Sequence, residues 1–309
     1  MNINEASLQK KSKDMFTYRF TWLHLARPMT FTGTISPILA GSILAFKNGP
    51  FHFDRFIGFI LSALMVQSSV NMLNDYYDFQ NGQDHEKWVL NNETLFKQGP
   101  RIQSIPYVVT CMLFLAAFLG IWLATQSSVW VVIIGILGIT FGILYSAGSH
   151  SLSSLGFGEI TAAIFLGIVP TTLSYMIQGL SLDIHIFLLS MPFAFLIATM
   201  ILTNNIRDIE KDQPFRRTLA MRLGRLHAPH LLTLLLASSY CCVLILISFK
   251  LISVLTGIVI FAVPLAYRLR WSYRPTANRI DEISGMKWAA WHHWAFGLLF
   301  TFGFILSVL

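Results

Sequence analysis

Nine stretches of this chain are apolar for close to the ~20 residues that a helix needs to cross the hydrocarbon core of a bilayer. They fall at 29–46, 56–74, 105–125, 129–147, 160–178, 185–205, 229–249, 251–267 and 288–308. Inside hydrocarbon each backbone N–H and C=O must find its partner within the protein, and a stretch of this length meets that demand by itself only as an α-helix. The expected fold is therefore all-α: a polytopic membrane protein with nine transmembrane helices around a central cavity. Composition agrees, since only 12% of residues are charged, about half the share in a soluble domain. The mean hydropathy is +0.60. The whole chain, 1–309, reads as one membrane-embedded domain, with residues 1–17 forming a polar, basic tail. That tail lacks the apolar core and cleavage site of a signal peptide. Pro170, Pro192 and Pro264 fall inside apolar stretches and predict local kinks. Cys111, Cys241 and Cys242 lie in apolar runs without metal-ligand spacing, so they are expected to be small buried side chains.

Lys and Arg set the expected orientation. Nine spans place the tail and the loops after the second, fourth, sixth and eighth spans on one side of the membrane. All of the 22 Lys and Arg except Lys47, Arg55 and Lys250 then fall on that side. The positive-inside rule makes that side cytoplasmic, with the C-terminus extracytoplasmic and the cavity opening to the cytoplasm. The location expected is the cell membrane. The formal charge of +7 is thus a topology signal with some attraction to anionic lipid, and no nucleic-acid partner is needed to explain it.

The most unusual polar residues gather at two span ends. Asn74-Asp-Tyr-Tyr-Asp-Phe-Gln-Asn-Gly-Gln-Asp84 places Asp75, Asp78 and Asp84 where the second apolar stretch ends, with Asn71 one turn earlier. Asn204-Asn-Ile-Arg-Asp-Ile-Glu-Lys-Asp212 does the same at the end of the sixth, four spans later. This echo suggests two related halves around one cavity. Helical spacing puts Asp75 and Asp78 on one face, and sets Asn204, Asp208 and Asp212 in an i, i+4, i+8 ladder beside Arg207 and Lys211. Carboxylates attract hard divalent cations, and Mg²⁺ usually combines one or two of them with waters and phosphate oxygens. Arg and Lys next to them suit the phosphates. Any one Asp at a helix end is as readily a cap or an ordinary ion pair; two such clusters point to a diphosphate held through metal. A lipid diphosphate at a membrane cavity implies Mg²⁺-assisted loss of the leaving group, and an allylic tail would leave a carbocation that aromatic faces shield.

These residues resemble the UbiA-type intramembrane prenyltransferases, and within them the branch that prenylates 1,4-dihydroxy-2-naphthoate. The likeness covers nearly the whole chain. Besides the two motifs it includes Thr218-Leu-Ala-Met-Arg-Leu-Gly224, Ala26-Arg-Pro28, Tyr145 with Gly148, and Gly156-Phe-Gly-Glu159. The resemblance implies that Asp75 and Asp78 hold one Mg²⁺ and Asp208 and Asp212 another, with Asp84 a further candidate ligand. It implies substrate contacts from Asn71, Asn74, Arg207, Lys211, Tyr145 and Lys97. The implied reaction transfers a polyprenyl group from its diphosphate to the naphthoate ring with loss of the ring carboxylate, giving a demethylmenaquinone. Tyr145, Glu159 and Lys287 are candidates for positioning or deprotonating the acceptor, although a structural role is commoner for each.

The chain departs from the family pattern at Trp88–Pro100. Where relatives carry a Gly-rich segment ending in Arg, this stretch has no Gly before Gly99, and Lys97 is its nearest basic residue to that Arg. Such a loop presents backbone N–H groups to phosphate less freely, which leaves 4-hydroxybenzoate, homogentisate or another phenol open as acceptor. His292 and His293 beside Trp288, Trp291 and Trp294 read as an aromatic belt with polar partners. Two other classes fit the pattern less well. A cation- or proton-coupled transporter would carry its charges near mid-membrane, whereas these sit at span ends. A scaffold role leaves the paired acidic motifs unexplained.

Overall fold

A computed structural model describes residues 16–90, 99–148 and 151–306. Its apolar stretches are helical, as the backbone argument requires. In chain order they are β1 (Phe16–Tyr18), α1 (Trp22–Ala26), α2 (Thr32–Asn48), α3 (Phe53–Gln80), β2 (Trp88–Leu90), α4 (Ser104–Gln126) and α5 (Trp130–Ser146). There follow α6 (Gly158–Met176), α7 (Ile184–Arg207), α8 (Ile209–Asp212), α9 (Leu219–Ser248), α10 (Val254–Trp271) and α11 (Arg279–Ile305). Among the described residues, α3, α4, α6, α7, α9 and α10 are each long and apolar enough to cross a membrane. A seventh span results if α1 and α2, bent by 48° where they join, are taken together.

The helix α7 is the axle of the bundle. In its most apolar window 72% of residues are buried, against 17% for the peripheral α4. Hydrophobic driving force is weak between helices in lipid, so contact rests on close packing and small residues. The structure shows this at Gly41 of α2 and Gly297 of α11: a Cβ at the first would meet the Thr171 carbonyl oxygen at 2.1 Å, and at the second the Ser36 hydroxyl at 2.1 Å. Around α7, Phe193 packs edge-on against Phe300 with ring centroids 5.1 Å apart.

Two helices depart from the expected form. The second helix does not stop with its apolar stretch at residue 74; α3 runs on to Gln80, which keeps Asp75 and Asp78 helical as their spacing implied. Their ion pairs and burial carry the helix past the limit of its apolar run. α6 widens into a π turn at Ala163–Ile168. There Gly167 lies so close to α7 that a Cβ would meet the Ala194 Cα at 2.5 Å, and Pro170, which has no N–H to donate, opens the next α segment. Pro264 likewise sits where α10 changes from 3₁₀ to α form, whereas Pro192 lies inside α7.

The belt reading of the histidines needs correction. His292 and His293 are buried: His292 Nε2 lies 2.8 Å from the Tyr240 hydroxyl and His293 Nδ1 lies 2.9 Å from the Thr32 hydroxyl. They join α11 to α9 and α2, while Trp291 faces outward. Burial of the cysteines also fails. Cys111 and Cys241 are exposed on outer helix faces and Cys242 is half-buried, because α4 and α9 turn these positions away from the interior.

At the end of α3, β1 pairs antiparallel with β2, in the register Phe16↔Leu90, Thr17↔Val89 and Tyr18↔Trp88. Trp88 packs on Phe79 of α3 at 4.8 Å and edge-on to Tyr18 at 5.2 Å. This strap fixes the segment between Gln80 and Trp88 over the acidic end of α3.

Candidate active site

A cavity runs between α3, α5, α6 and α7. Its body is apolar, walled by residues such as Val66, Val70, Ile134, Phe141 and Phe165. Its polar end is formed by Arg27, Asn71, Asn74, Tyr145, Asn204, Asn205 and Arg216. Three of the expected substrate residues, Asn71, Asn74 and Tyr145, therefore face one space. Asn71 Nδ2 donates to the Ala26 carbonyl at 2.9 Å and Asn74 Oδ1 accepts from Arg27 at 3.2 Å, so α3 holds the α1–α2 bend against the cavity. Arg27 sits at that bend with φ 57°. The left-handed conformation is costly for a residue with a Cβ and recurs where function demands it.

Every carboxylate of the two motifs is met by a cation. Asp75, 1% exposed, receives Arg27 and Lys87, each at 2.7 Å, and the Tyr18 hydroxyl at 3.2 Å. Asp78 is paired with Arg216. Asp84, at φ 53°, takes Lys87 at 2.6 Å and also Lys211. Asp208 accepts from Arg207 Nε at 2.8 Å, with Arg279 at 3.7 Å. Asp212 lies 3.8 Å from Arg216 Nε. A carboxylate this buried cannot stand unpaired without a large desolvation penalty. The cations also join the motifs: Lys211 spans from α8 to Asp84 and to Glu86 at 2.6 Å, while Arg216 reaches Asp78, Asp212 and, at 3.0 Å, Gln83.

Several expectations need correction here. The ladder of Asn204, Asp208 and Asp212 is broken, because α7 ends at Arg207 and Asp208 caps it with φ −103° and ψ 12° before α8 begins. Arg207, expected at phosphate, binds Asp208 and donates to Asn204 Oδ1 at 2.7 Å. Lys287 does not reach the acceptor space. Its ammonium lies 4.7 Å from the centre of the Trp291 ring and 5.4 Å from that of Trp288, a cation–π site on the outer face of α11. Lys97 lies outside the described residues. Glu159 is buried and accepts from Asn205 Nδ2 at 2.9 Å.

Charge balance at this end of the bundle is uneven. Burial pushes the Asp212 carboxyl up to about 6; Arg216 opposes this, and Asp208, Asp78 and Asp84 add to it. Asp84 moves the other way: burial would raise its carboxyl, but Lys87 and Lys211 hold it well below the usual carboxylate range. Burial would lower the Lys211 ammonium, and Asp84 followed by Glu86 raises it instead. Among the six acids of the two motifs, Asp212 is thus moved toward neutral pH.

Hard oxygen donors are what Mg²⁺ takes, and Asp75, Asp78, Asp84, Asp208 and Asp212 supply only these. Among the described residues no three His, Cys, Asp or Glu side chains converge on a metal position. The arrangement therefore fits an ion that shares one or two carboxylates with phosphate and water oxygens, and does not fit an all-protein cage. Four contributors escaped the sequence reading of the site: Arg27, Lys87, Arg216 and Asn205. Arg27 was visible as a lone charge just before the first apolar stretch, and Asn205 as the second of two Asn in an apolar helix. Lys87 and Arg216 carry no local signal that separates them from loop charges.

Comparison with known proteins agrees with this architecture. A family model described as the UbiA prenyltransferase family matches residues 34–291. The 1,4-dihydroxy-2-naphthoate octaprenyltransferase of Bacillus subtilis (strain 168) is 30% identical over 300 residues, covering 97% of this chain and 95% of that protein. Among solved structures, the fold is similar to the apo form of a UbiA homolog from Aeropyrum pernix K1, with a TM-score of 0.67 at 12% identity, over 90% of this chain and 98% of that one. It is also similar to a UbiA homolog from Archaeoglobus fulgidus bound to DMAPP and Mg2+, with a TM-score of 0.61 at 15% identity, over 91% and 99% of the two chains. With the family model spanning most of its length and the fold in agreement, this chain belongs to the UbiA prenyltransferase family.

Proposed function

We propose that this protein transfers a polyprenyl group from an allylic polyprenyl diphosphate to 1,4-dihydroxy-2-naphthoate, releasing diphosphate and, from the ring carboxylate, CO2, and giving demethylmenaquinone in its reduced form. One observation carries this reading: the polar end of an apolar cavity is lined by Asn74, Asn204 and Asn205 of the two motifs and by Arg27 and Arg216, which pair with Asp75 and Asp78. An apolar tail and an anionic head are the two parts of the ligand such a space accommodates. The full-length similarity to the naphthoate octaprenyltransferase of Bacillus subtilis supports the choice of acceptor.

In this reading Asp75 and Asp78 from α3 and Asp208 and Asp212 beside α7 hold Mg²⁺, with Asp84 at the edge of the first pair. Mg²⁺, when bound, supplies charge neutralisation to the departing diphosphate as the allylic C–O bond breaks. Arg27 and Arg216 hand their carboxylates over and turn to phosphate oxygens, which suit the guanidinium fork. Asn71 keeps the α1–α2 bend in place. Phe141 and Phe165, stacked with centroids 4.8 Å apart on the cavity wall, offer aromatic faces to positive charge on the allylic group. The apolar body of the cavity, walled by Val66, Val70, Ile134, Phe141 and Phe165, offers water few partners around the allylic carbon, which favours capture by the aromatic ring.

Nine spans complete this picture: the six long apolar helices, the bent α1–α2 pair, the 17-residue α5 and the charged-ended α11. We place the N-terminus and both motifs on the cytoplasmic side of the cell membrane, because nearly all Lys and Arg fall there. The test is turnover by purified protein in lipid with Mg²⁺, an allylic polyprenyl diphosphate and dihydroxynaphthoate. Prenylated naphthoquinol and diphosphate should form in equal amounts, and chelation of the metal should stop both. Product from another phenol alone would overturn the acceptor assignment; no product with any phenol would overturn the reaction.

A further inference from the structure

Glu159 stands in the first turn of α6, 4% exposed, and only one of its carboxylate oxygens is used. Oε1 accepts from Asn205 Nδ2 at 2.9 Å, whereas Oε2 is buried with no hydrogen-bond partner. A buried acceptor without a donor is costly, yet the fold retains one here. Asn205 in turn lines the polar end of the cavity, beside Tyr145. The Tyr145 hydroxyl lies against the start of α6, where a Cβ on Gly158 would meet it at 3.6 Å.

The direction of the Glu159–Asn205 hydrogen bond decides what Asn205 can do. One of its two amide hydrogens is committed to Glu159, which fixes the amide plane and leaves one N–H and the carbonyl oxygen Oδ1 for a cavity ligand. Phosphate oxygens, acceptors only, can use the N–H but not Oδ1. A ligand that brings O–H donors can use Oδ1. We propose that Glu159 is a positioning residue acting through Asn205: it fixes the Asn205 amide so that Oδ1 receives a hydroxyl of the aromatic acceptor, which separates the acceptor subsite from the diphosphate subsite around Arg27 and Arg216. This rests on the proposed prenyl transfer for the identity of the ligand.

The test measures equilibrium binding of 1,4-dihydroxy-2-naphthoate to the purified protein by its fluorescence, alongside the KM for each substrate and the melting temperature. Glu159→Ala and Asn205→Ala should weaken naphthoate binding roughly tenfold, the worth of about one hydrogen bond to a charged or oriented group. The KM for the prenyl diphosphate and the melting temperature should stay at their unsubstituted values. Glu159→Gln still offers an oxygen to Asn205 Nδ2 and should restore naphthoate affinity, with kcat retained. Three results would overturn the inference: unchanged naphthoate binding in both alanine variants, a parallel rise in both KM values with a lower melting temperature, or no naphthoate binding by the unsubstituted protein. Naphthoate that binds as expected but is never prenylated would uphold this positioning role while defeating the proposed reaction.

Discussion

Arg216 donates to Asp78 across 138 residues of chain, and the same guanidinium lies 3.8 Å from Asp212. One side chain, 9% exposed, thereby neutralises an acid from each motif and holds α3 to the segment after α8. A guanidinium shared by two acids offsets the charge of one proposed ligand from each metal pair.

Arg216→Ala should therefore be strongly destabilising without metal. It leaves Asp78 and Asp212 buried and unpaired, a loss of about 3–5 kcal/mol for breaking one buried pair. Mg²⁺ should restore much of the lost melting temperature in the variant, and more than it adds to the unsubstituted protein. Thermal unfolding in detergent with and without Mg²⁺ checks this. A variant that melts early and gains nothing from the ion would show that Arg216 is a structural brace alone.

Asp212 gives the site a pH dependence with a definite sign. Its folded carboxyl is raised to about 6 by burial, against Arg216 and with Asp208, so below that pH it holds a proton. Protonation favours the folded state here: the stability contribution of Asp212 is greatest below the ordinary carboxylate pKa of about 4 and falls as pH rises toward 6. A bound cation needs the opposite state. Mg²⁺ affinity should fall as pH drops through about 6, by up to tenfold per unit for one proton displaced, and level off above it. Asp84, held low by Lys87 and Lys211 after burial is overcome, is ionised throughout that window and adds no slope. Calorimetric titration with Mg²⁺ at several pH values should show the slope in the unsubstituted protein and lose it in Asp212→Asn.

How much of this was readable in the sequence depends on distance along the chain. Asn71, Asn74, Asp75 and Asp78 announce themselves because polar groups at the end of an apolar run are costly, and the structure sets Asn71 and Asn74 on the cavity wall. Their partners do not announce themselves. Arg27, 48 residues from Asp75, stands out before the first apolar stretch without naming its partner, and Arg216, 138 residues from Asp78, looks like a loop charge until the helices are packed. The ladder through Asp208 and Asp212 failed for a local reason, since periodicity assumes a helix that continues and α7 stops at Arg207. The π turn of α6 depends on Gly167 meeting Ala194 of α7, a contact that no local pattern encodes.

Asp84 separates backbone from charge. It adopts φ 53°, which Asn and Gly tolerate and most residues resist by about 1–2 kcal/mol. Its carboxylate also ties Lys87 to Lys211 across the two motifs. Asp84→Asn keeps the turn and removes the charge; Asp84→Ala removes the charge and strains the turn as well. Both should weaken Mg²⁺ binding, while only the alanine variant should lower the melting temperature appreciably, by several degrees for a loss of this size. Equal melting temperatures would mean that the turn tolerates a Cβ without local side-chain help.

The cavity wall along α5 bears on the length of the donor tail. Gly135 and Gly138 of α5 line the cavity, and a Cβ at either would meet nothing within 4 Å. Contrast Gly41, where a Cβ would strike the Thr171 carbonyl oxygen at 2.1 Å. A large side chain at 138 thus fills open cavity instead of breaking a packed seam, and replacing a helix-interior Gly should by itself stabilise α5. Seven residues separate Gly138 from Tyr145 at the polar end, a rise of ~10 Å along the helix. An isoprene unit adds four carbon–carbon bonds, about 5 Å when extended, so roughly two units fit before position 138. Gly138→Phe should retain turnover with geranyl diphosphate and lose at least tenfold in kcat/KM with donors of four or more units, which a competition between short and long donors reads directly. Unchanged preference would mean that the tail leaves the cavity before it reaches α5 at Gly138.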